Sequence, residues 1–208
     1  MRTAIAAGTL CGMLALGCLA TPASAAQRVI TYSVAARGDV GADFDAFVQI
    51  AARAYADPRG WSLGGAVDIR QVSGASDFVL WLAAPDQMTS FSSDCSPLWS
   101  CRVGRDVVIN DLRFRSGSPY WKGSLDDYRV LLVNHETGHW IGFDHDACPG
   151  AGEEAPIMMQ QSKGVASCVG NPWPLDGERV LAAHALGVDA PPWLTFDPPK
   201  TQGFTPQP

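Results

Sequence analysis

Residues 135–145 read His-Glu-Thr-Gly-His-Trp-Ile-Gly-Phe-Asp-His. His135 and His139 are four apart, so on a helix both imidazoles project from one face, one turn apart. That spacing suits two ligands of one zinc ion. Glu136 lies beside the first, where its carboxylate can reach a water activated by the metal. Gly142 can take the left-handed conformation that ends a helix and turns the chain. The turn brings His145 round as a third ligand. Three protein ligands leave a fourth position open, the arrangement of a catalytic rather than a structural zinc. The chain has four histidines, and three of them fall in this run. The fourth, His184, is isolated on a helical stretch and reads as structural. Asp144 precedes the third ligand and reads as solvated or as a neighbour of the ligands.

The elements that must hold these residues are legible in part. Ser124-Leu-Asp-Asp127 is a capping box, and neither Pro nor Gly interrupts Leu125 to Thr137. Tyr128, Leu131, Leu132 and His135 follow at helical spacing, and His139 continues that face. Gly138 is a poor helix former, but its missing side chain permits close packing beside the metal. Arg28 to Ala36 alternates as a strand. Ala42 to Ala56 reads as an amphipathic helix ended by Asp57-Pro58-Arg59-Gly60. Val67 to Val72, Asp77 to Ala83 and Asp106 to Phe114 read as strands. Residues 85–102 read as a loop, and Leu175 to Leu186 as a last helix. The seven tryptophans read as core and rim packing rather than as a ligand cage.

Residues 1–25 read as a signal peptide. Arg2 gives a positive start, an apolar run follows, and Ala23-Ser24-Ala25 is a small-x-small cleavage site. A retained membrane anchor and a lipid-modified Cys18 are the competing readings. Past that segment no stretch is long and apolar enough to span a bilayer. Cleavage leaves Cys95, Cys101, Cys148 and Cys168. In an exported chain these suggest two disulfides with three possible pairings, free thiols being the alternative. The local pairing, Cys95–Cys101 and Cys148–Cys168, is favoured because each bridge closes a loop rich in turn residues. The formal net charge of −6 argues against nucleic acid and anionic membrane as partners. The expected organisation is one domain over 28–188, acting as a monomer, and a proline-rich tail over 189–208.

The run His135–His145 resembles the elongated zinc motif of the metzincin metalloproteases. That superfamily also has a methionine turn beneath the zinc, which Pro156-Ile157-Met158-Met159 resembles. Met158 and Met159 are both candidates for that methionine. More of the chain, over 28–188, is similar to a family of secreted bacterial domains of unknown function. The similarity is carried by Ala56-Asp-Pro-Arg-Gly-Trp61, the zinc block and Cys148-Pro-Gly150, with Ala155-Pro-Ile-Met-Met-Gln-Gln161 and Asn171-Pro-Trp-Pro174. These resemblances imply an α+β, metzincin-like (zincin) fold. It has a mixed sheet, an active-site helix and a small irregular C-terminal part. An edge strand above the cleft pairs with extended substrate, and Asp77–Ala83 or Asp106–Phe114 is expected to serve.

The function expected is a secreted or envelope-located zinc peptidase. His135, His139 and His145 hold Zn²⁺, Glu136 is the general base, and the substrate is a peptide or protein. A zinc amidase acting on cell-wall peptides and an inactive zinc-stabilised envelope binding module are the other classes this motif allows.

Overall fold

The computed structural model describes residues 26–194. The expected signal peptide and the tail beyond 194 therefore lie outside the described residues. Strand β1 (Arg28–Arg37) is followed by helix α1 (Phe44–Ala56), then β2 (Val67–Gln71) and β3 (Phe78–Ala83). A 3₁₀ turn (Pro85–Ser90) leads to β4 (Cys101–Val103), β5 (Asp106–Asn110) and the short helix α2 (Asp111–Ser116). Helix α3 (Leu125–Ile141) carries His135, Glu136 and His139, and α4 (Asp176–Leu186) closes the domain. The class is α+β, as expected.

Among the described residues the sheet has the order β2-β1-β3-β5-β4. β1 runs parallel to β2 and β3, and β3 runs parallel to β5. Only β4 is antiparallel, pairing Arg102 with Val107. Alternate residues of β1 and β3 point into one core, where Tyr32, Tyr55 and Phe78 meet as an aromatic cluster. Helix α1 begins where the Asp43 carboxylate accepts from the N–H groups of Asp45 and Ala46. It packs against α3, and Tyr55 and Thr137 hydroxyls meet at 2.9 Å.

Three expectations need correction. Asp106–Phe114 is not one strand, because Asn110 turns the chain. Its side chain accepts from the N–H groups of Leu112 and Arg113, which caps a helix at the point where the apolar run ends. Residues 85–102 are not all loop, since β4 begins at Cys101. Neither β3 nor β5 is an edge. β4 is the antiparallel edge strand, and its three residues are too few to show a periodic pattern.

Residues 144–175 contain one short 3₁₀ turn, at Gln161–Lys163, and two isolated β-bridges, Asp146 with Met159 and Glu154 with Val169. This is the expected irregular part. The first residues of the proline-rich stretch lie against the domain: Leu194 is buried and the Arg179 guanidinium sits 4.8 Å from the Trp193 ring.

Candidate metal centre and cleft

Helix α3 starts at Ser124, whose Oγ accepts from the Asp127 N–H at 3.0 Å and donates to its carboxylate at 2.7 Å. Its rotation is fixed by buried polar contacts as well as by apolar packing. The Trp61 indole N–H donates to Asn134 O, and the Asn134 amide donates to Pro172 O, each at 2.9 Å. The helix ends at Gly142, where φ is +122°. A side chain is disfavoured there, and both Gly142 and Phe143 donate their N–H to Gly138 O. Phe143 then stacks on Trp61 at 5.5 Å, which sends the chain back toward the helix at His145.

The three imidazoles converge. One nitrogen from each of His135, His139 and His145 lies within 4.8 Å of the others. His135 Nδ1 is 2.7 Å from Ile157 O, and His139 Nδ1 is 2.8 Å from Phe143 O. A carbonyl can only accept, so both Nδ1 atoms carry the proton and each Nε2 offers a lone pair. His139 Nε2 and His145 Nε2 stand 3.2 Å apart. Burial pushes the imidazole pKa values down, to about 3 for His135 and about 4 for His139. Burial lowers His145 too, although it is the exposed member. Neutral imidazoles with lone pairs aimed at one point are what a divalent metal needs, so the residues present fit a zinc ion.

Glu136 is buried beside this point. Desolvation raises its pKa to about 8, against a pull downward from the nearby cations of Arg102 and Lys163. These residues line a cleft of about 330 Å³ together with Trp99, Leu132 and Ser162. The edge strand β4 contributes Cys101 and Arg102 to its wall.

The Pro156–Met159 segment lies under α3. Met158 is buried, and a Cβ added at Gly138 would stand 2.3 Å from its Sδ. Gly138 thus permits the close approach expected of it, toward Met158. Met159 instead forms part of the cleft wall. His184 is exposed on α4 outside the lining of the cleft, and Asp144 is exposed.

Both expected disulfides are present, Cys95–Cys101 and Cys148–Cys168. The first ends at the start of β4 and the second ties the irregular segment to itself.

Sequence reasoning missed the residue that holds the Pro156–Met159 segment in place. Buried Glu178, on α4, accepts from the N–H groups of Ile157 and Met158 at 3.0 Å and from Leu175 at 2.8 Å. Gln161 and Asn171 are also buried, and their side-chain amides bond to Pro156 O and Ala155 O around the same turn. Glu178, three residues after Leu175 in the first turn of α4, looks like an ordinary helix-start acid. Nothing in sequence distinguishes it from one that also reaches a distant turn.

Comparisons with known proteins bear on this geometry. A human protein, "A disintegrin and metalloproteinase with thrombospondin motifs 13" (Homo sapiens), is 28% identical over 141 residues, 62% of this chain. The chain spans only 8% of that relative's length. The archaemetzincin of Methanopyrus kandleri superposes with a TM-score of 0.45 at 14% identity, covering 74% of this chain and 94% of the other. A family described as "Protein of unknown function (DUF3152)" matches residues 13–195, which take in every strand and helix described above, and the chain belongs to that family.

Proposed function

We propose that the protein is an extracytoplasmic zinc-dependent peptidase of metzincin type, with His135, His139 and His145 as ligands and Glu136 as general base. The observation that carries this reading is the convergence of three neutral imidazoles beside a buried carboxylate in an open cleft. The metalloproteinase relative agrees with it. A zinc ion in this place supplies Lewis acidity, lowering the pKa of water toward 7 and polarising a peptide carbonyl.

The chain's own residues do the rest. The carbonyls of Ile157 and Phe143 hold two imidazoles in the tautomer that faces the centre. Glu136, a buried residue of α3, takes the proton from the attacking water and returns it to the leaving amine. Burial raises the Glu136 pKa, and a zinc cation held beside it would draw it back toward the carboxylate that accepts the proton. The free edge of β4 can pair with an extended peptide across the cleft mouth. Met158 is the methionine beneath the centre in this reading. The two disulfides fit an oxidising compartment, and no helix among the described residues is long and apolar enough to cross a membrane.

The test is Glu136→Gln. Glutamine keeps the shape but cannot take a proton at neutral pH. The variant should keep its zinc and lose about 100- to 10,000-fold in hydrolysis of a broad peptide library. Equal hydrolysis by both proteins refutes the general-base assignment. Zinc binding without turnover of any peptide favours the binding module, and release of peptidoglycan fragments favours the amidase.

A further inference from the structure

The positive charges of the domain are not evenly employed. Among the described residues nearly every lysine and arginine donates to a protein oxygen, in an ion pair or a hydrogen bond. Arg102 and Lys163 are the two that do not. Both line the cleft. The Arg102 Nε is buried and has no hydrogen-bond partner. Leaving such a donor unpaired costs free energy unless something in the cleft meets it. Lys163 is exposed, and its ammonium lies 5.9 Å from the Trp99 ring. The Arg113 guanidinium approaches the same ring at 4.5 Å, although its Nε and Nη1 are already committed to Leu98 O and Gly117 O.

The placement of these cations is unusual for a chain of net charge −6. Among the described residues, Asp94 and Glu136 are the only carboxylates in the cleft lining, and Asp94 is exposed while Glu136 is buried. Neither lies within ion-pair distance of Arg102 or Lys163. Arg102 sits in the middle of the edge strand, where an extended peptide would run. Lys163 sits immediately after the methionine turn, on the segment that forms another part of the wall. Both cations line the same cleft as Glu136 and the three imidazoles.

We propose that the cleft selects substrates that carry a carboxylate close to the bond to be cut, with Lys163 and Arg102 as its counter-charges and Trp99 as the surface along which the acidic residue packs. The proposal rests on the peptidase reading. The carboxylate is either an Asp or Glu side chain within the peptide or a free C-terminus; the shared chemistry is an anion of one unit charge beside the backbone. A guanidinium matches a carboxylate with two parallel hydrogen bonds, whereas an ammonium offers a point charge that tolerates some variation in position.

The experiment measures binding apart from turnover. Zinc-loaded Glu136→Gln protein is titrated with end-blocked octapeptides that differ only in Glu or Gln at one position. A second arm uses uncharged peptides with a free or an amidated C-terminus. The carboxylate form should bind at least about tenfold more tightly in one of the two arms, as expected for a charged hydrogen bond, and the arm that responds identifies the source. Lys163→Met and Arg102→Met, each made in the Glu136→Gln background, should reduce that preference by about tenfold. Arg102→Lys should restore part of what Arg102→Met loses, which separates charge from packing. Equal binding of acidic and neutral peptides overturns the proposal, as does a preference that survives both methionine variants. A preference in binding with no cleavage by the wild-type protein keeps this inference and removes the peptidase reading. Cleavage by the wild type without any preference does the reverse.

Discussion

The two regions that meet at the candidate metal centre are held together by different physics. The sheet and helices α1 and α3 share an apolar core in which Trp61, Tyr32, Phe47, Phe78 and Tyr128 are all fully buried. Burial on that scale stabilises through many small, non-directional contacts and tolerates conservative change. Residues 144–175 contribute little to that core beyond Ile157 and Met158. They are held by individual polar contacts: Glu178 to three backbone N–H groups, Gln161 and Asn171 to carbonyls, and the Cys148–Cys168 bridge. Directional contacts fix position sharply, but each one carries a large share of the load. His135 and His139 come from the first region and His145 from the boundary of the second. The difference predicts that His145 and the Pro156–Met159 segment can be disturbed without melting the domain.

The largest expected effect comes from removing the proposed ligands one at a time. His135→Ala and His145→Ala should each weaken zinc binding more than a hundredfold, on the order of 3 kcal/mol for one of three ligands. They should differ in the metal-free protein. His135 is largely buried and its Nδ1–H satisfies Ile157 O, so its loss should cost about 1–3 kcal/mol of folding stability. His145 is exposed, and its loss should cost within about 0.5 kcal/mol. Zinc competition assays and urea unfolding of metal-free protein measure the two quantities. Equal loss of stability in both variants would break the comparison, because it would make the boundary segment as integral as the core.

A smaller effect is expected at Glu178. Its Oε1 and Oε2 serve three donors, and glutamine offers one oxygen, so Glu178→Gln leaves at least one buried N–H opposed by an amide group. The expected cost is about 1–3 kcal/mol. The variant also tests the pH dependence. Burial raises the Glu178 pKa from 4.5 to about 7, with its three backbone hydrogen bonds pulling the other way. Between those values the unfolded chain releases this proton while the folded chain keeps it. The folded state then binds more protons, so this residue's contribution to stability is present below pH 4.5 and is lost as pH rises toward 7. Subtracting the stability curve of Glu178→Gln from that of wild type should isolate a decline over that window. A flat difference would mean that the three N–H groups hold the carboxylate ionised throughout.

How legible each region was follows from the same division. The capping box at Ser124, the helical spacing through Leu131 and Leu132 and the turn at Gly142 are local signals, and α3 forms where they place it, Leu125–Ile141. Strands β1 and β3 are buried alternations and were readable within a residue or two. β4 was not, because three residues carry no period and its identity as the edge depends on pairing with β5. The strand reading of Asp106–Phe114 failed because a side-chain cap at Asn110 outweighs an apolar run that continues to Phe114. Glu178 was invisible because its partners lie 20 and 21 residues away, and no local pattern encodes a contact of that kind.

The sharpest test of the comparison comes from the two disulfides. Cys148–Cys168 spans 20 residues of sequence and Cys95–Cys101 spans six. In the chain-entropy picture these closures are worth about 3 and about 2 kcal/mol, a difference too small to separate them by stability alone. Their locations separate them. Cys95 is buried with Ala83, Met88 and Val108 against the sheet, whereas Cys148 and Cys168 pack only with Ala155 and Met159. Replacing Cys148 and Cys168 by serine should therefore raise amide exchange at Asp146 and Met159, whose N–H groups bond to Met158 O and Pro156 O, and should speed zinc release. The amides of β3 and β5 should keep their protection. Replacing Cys95 and Cys101 should loosen β4 and weaken peptide binding at the edge while zinc release stays as in wild type. Exchange rates read residue by residue distinguish these outcomes. Uniform loss of protection from either pair would mean that the irregular segment and the sheet unfold as one unit, and the division drawn above would not hold.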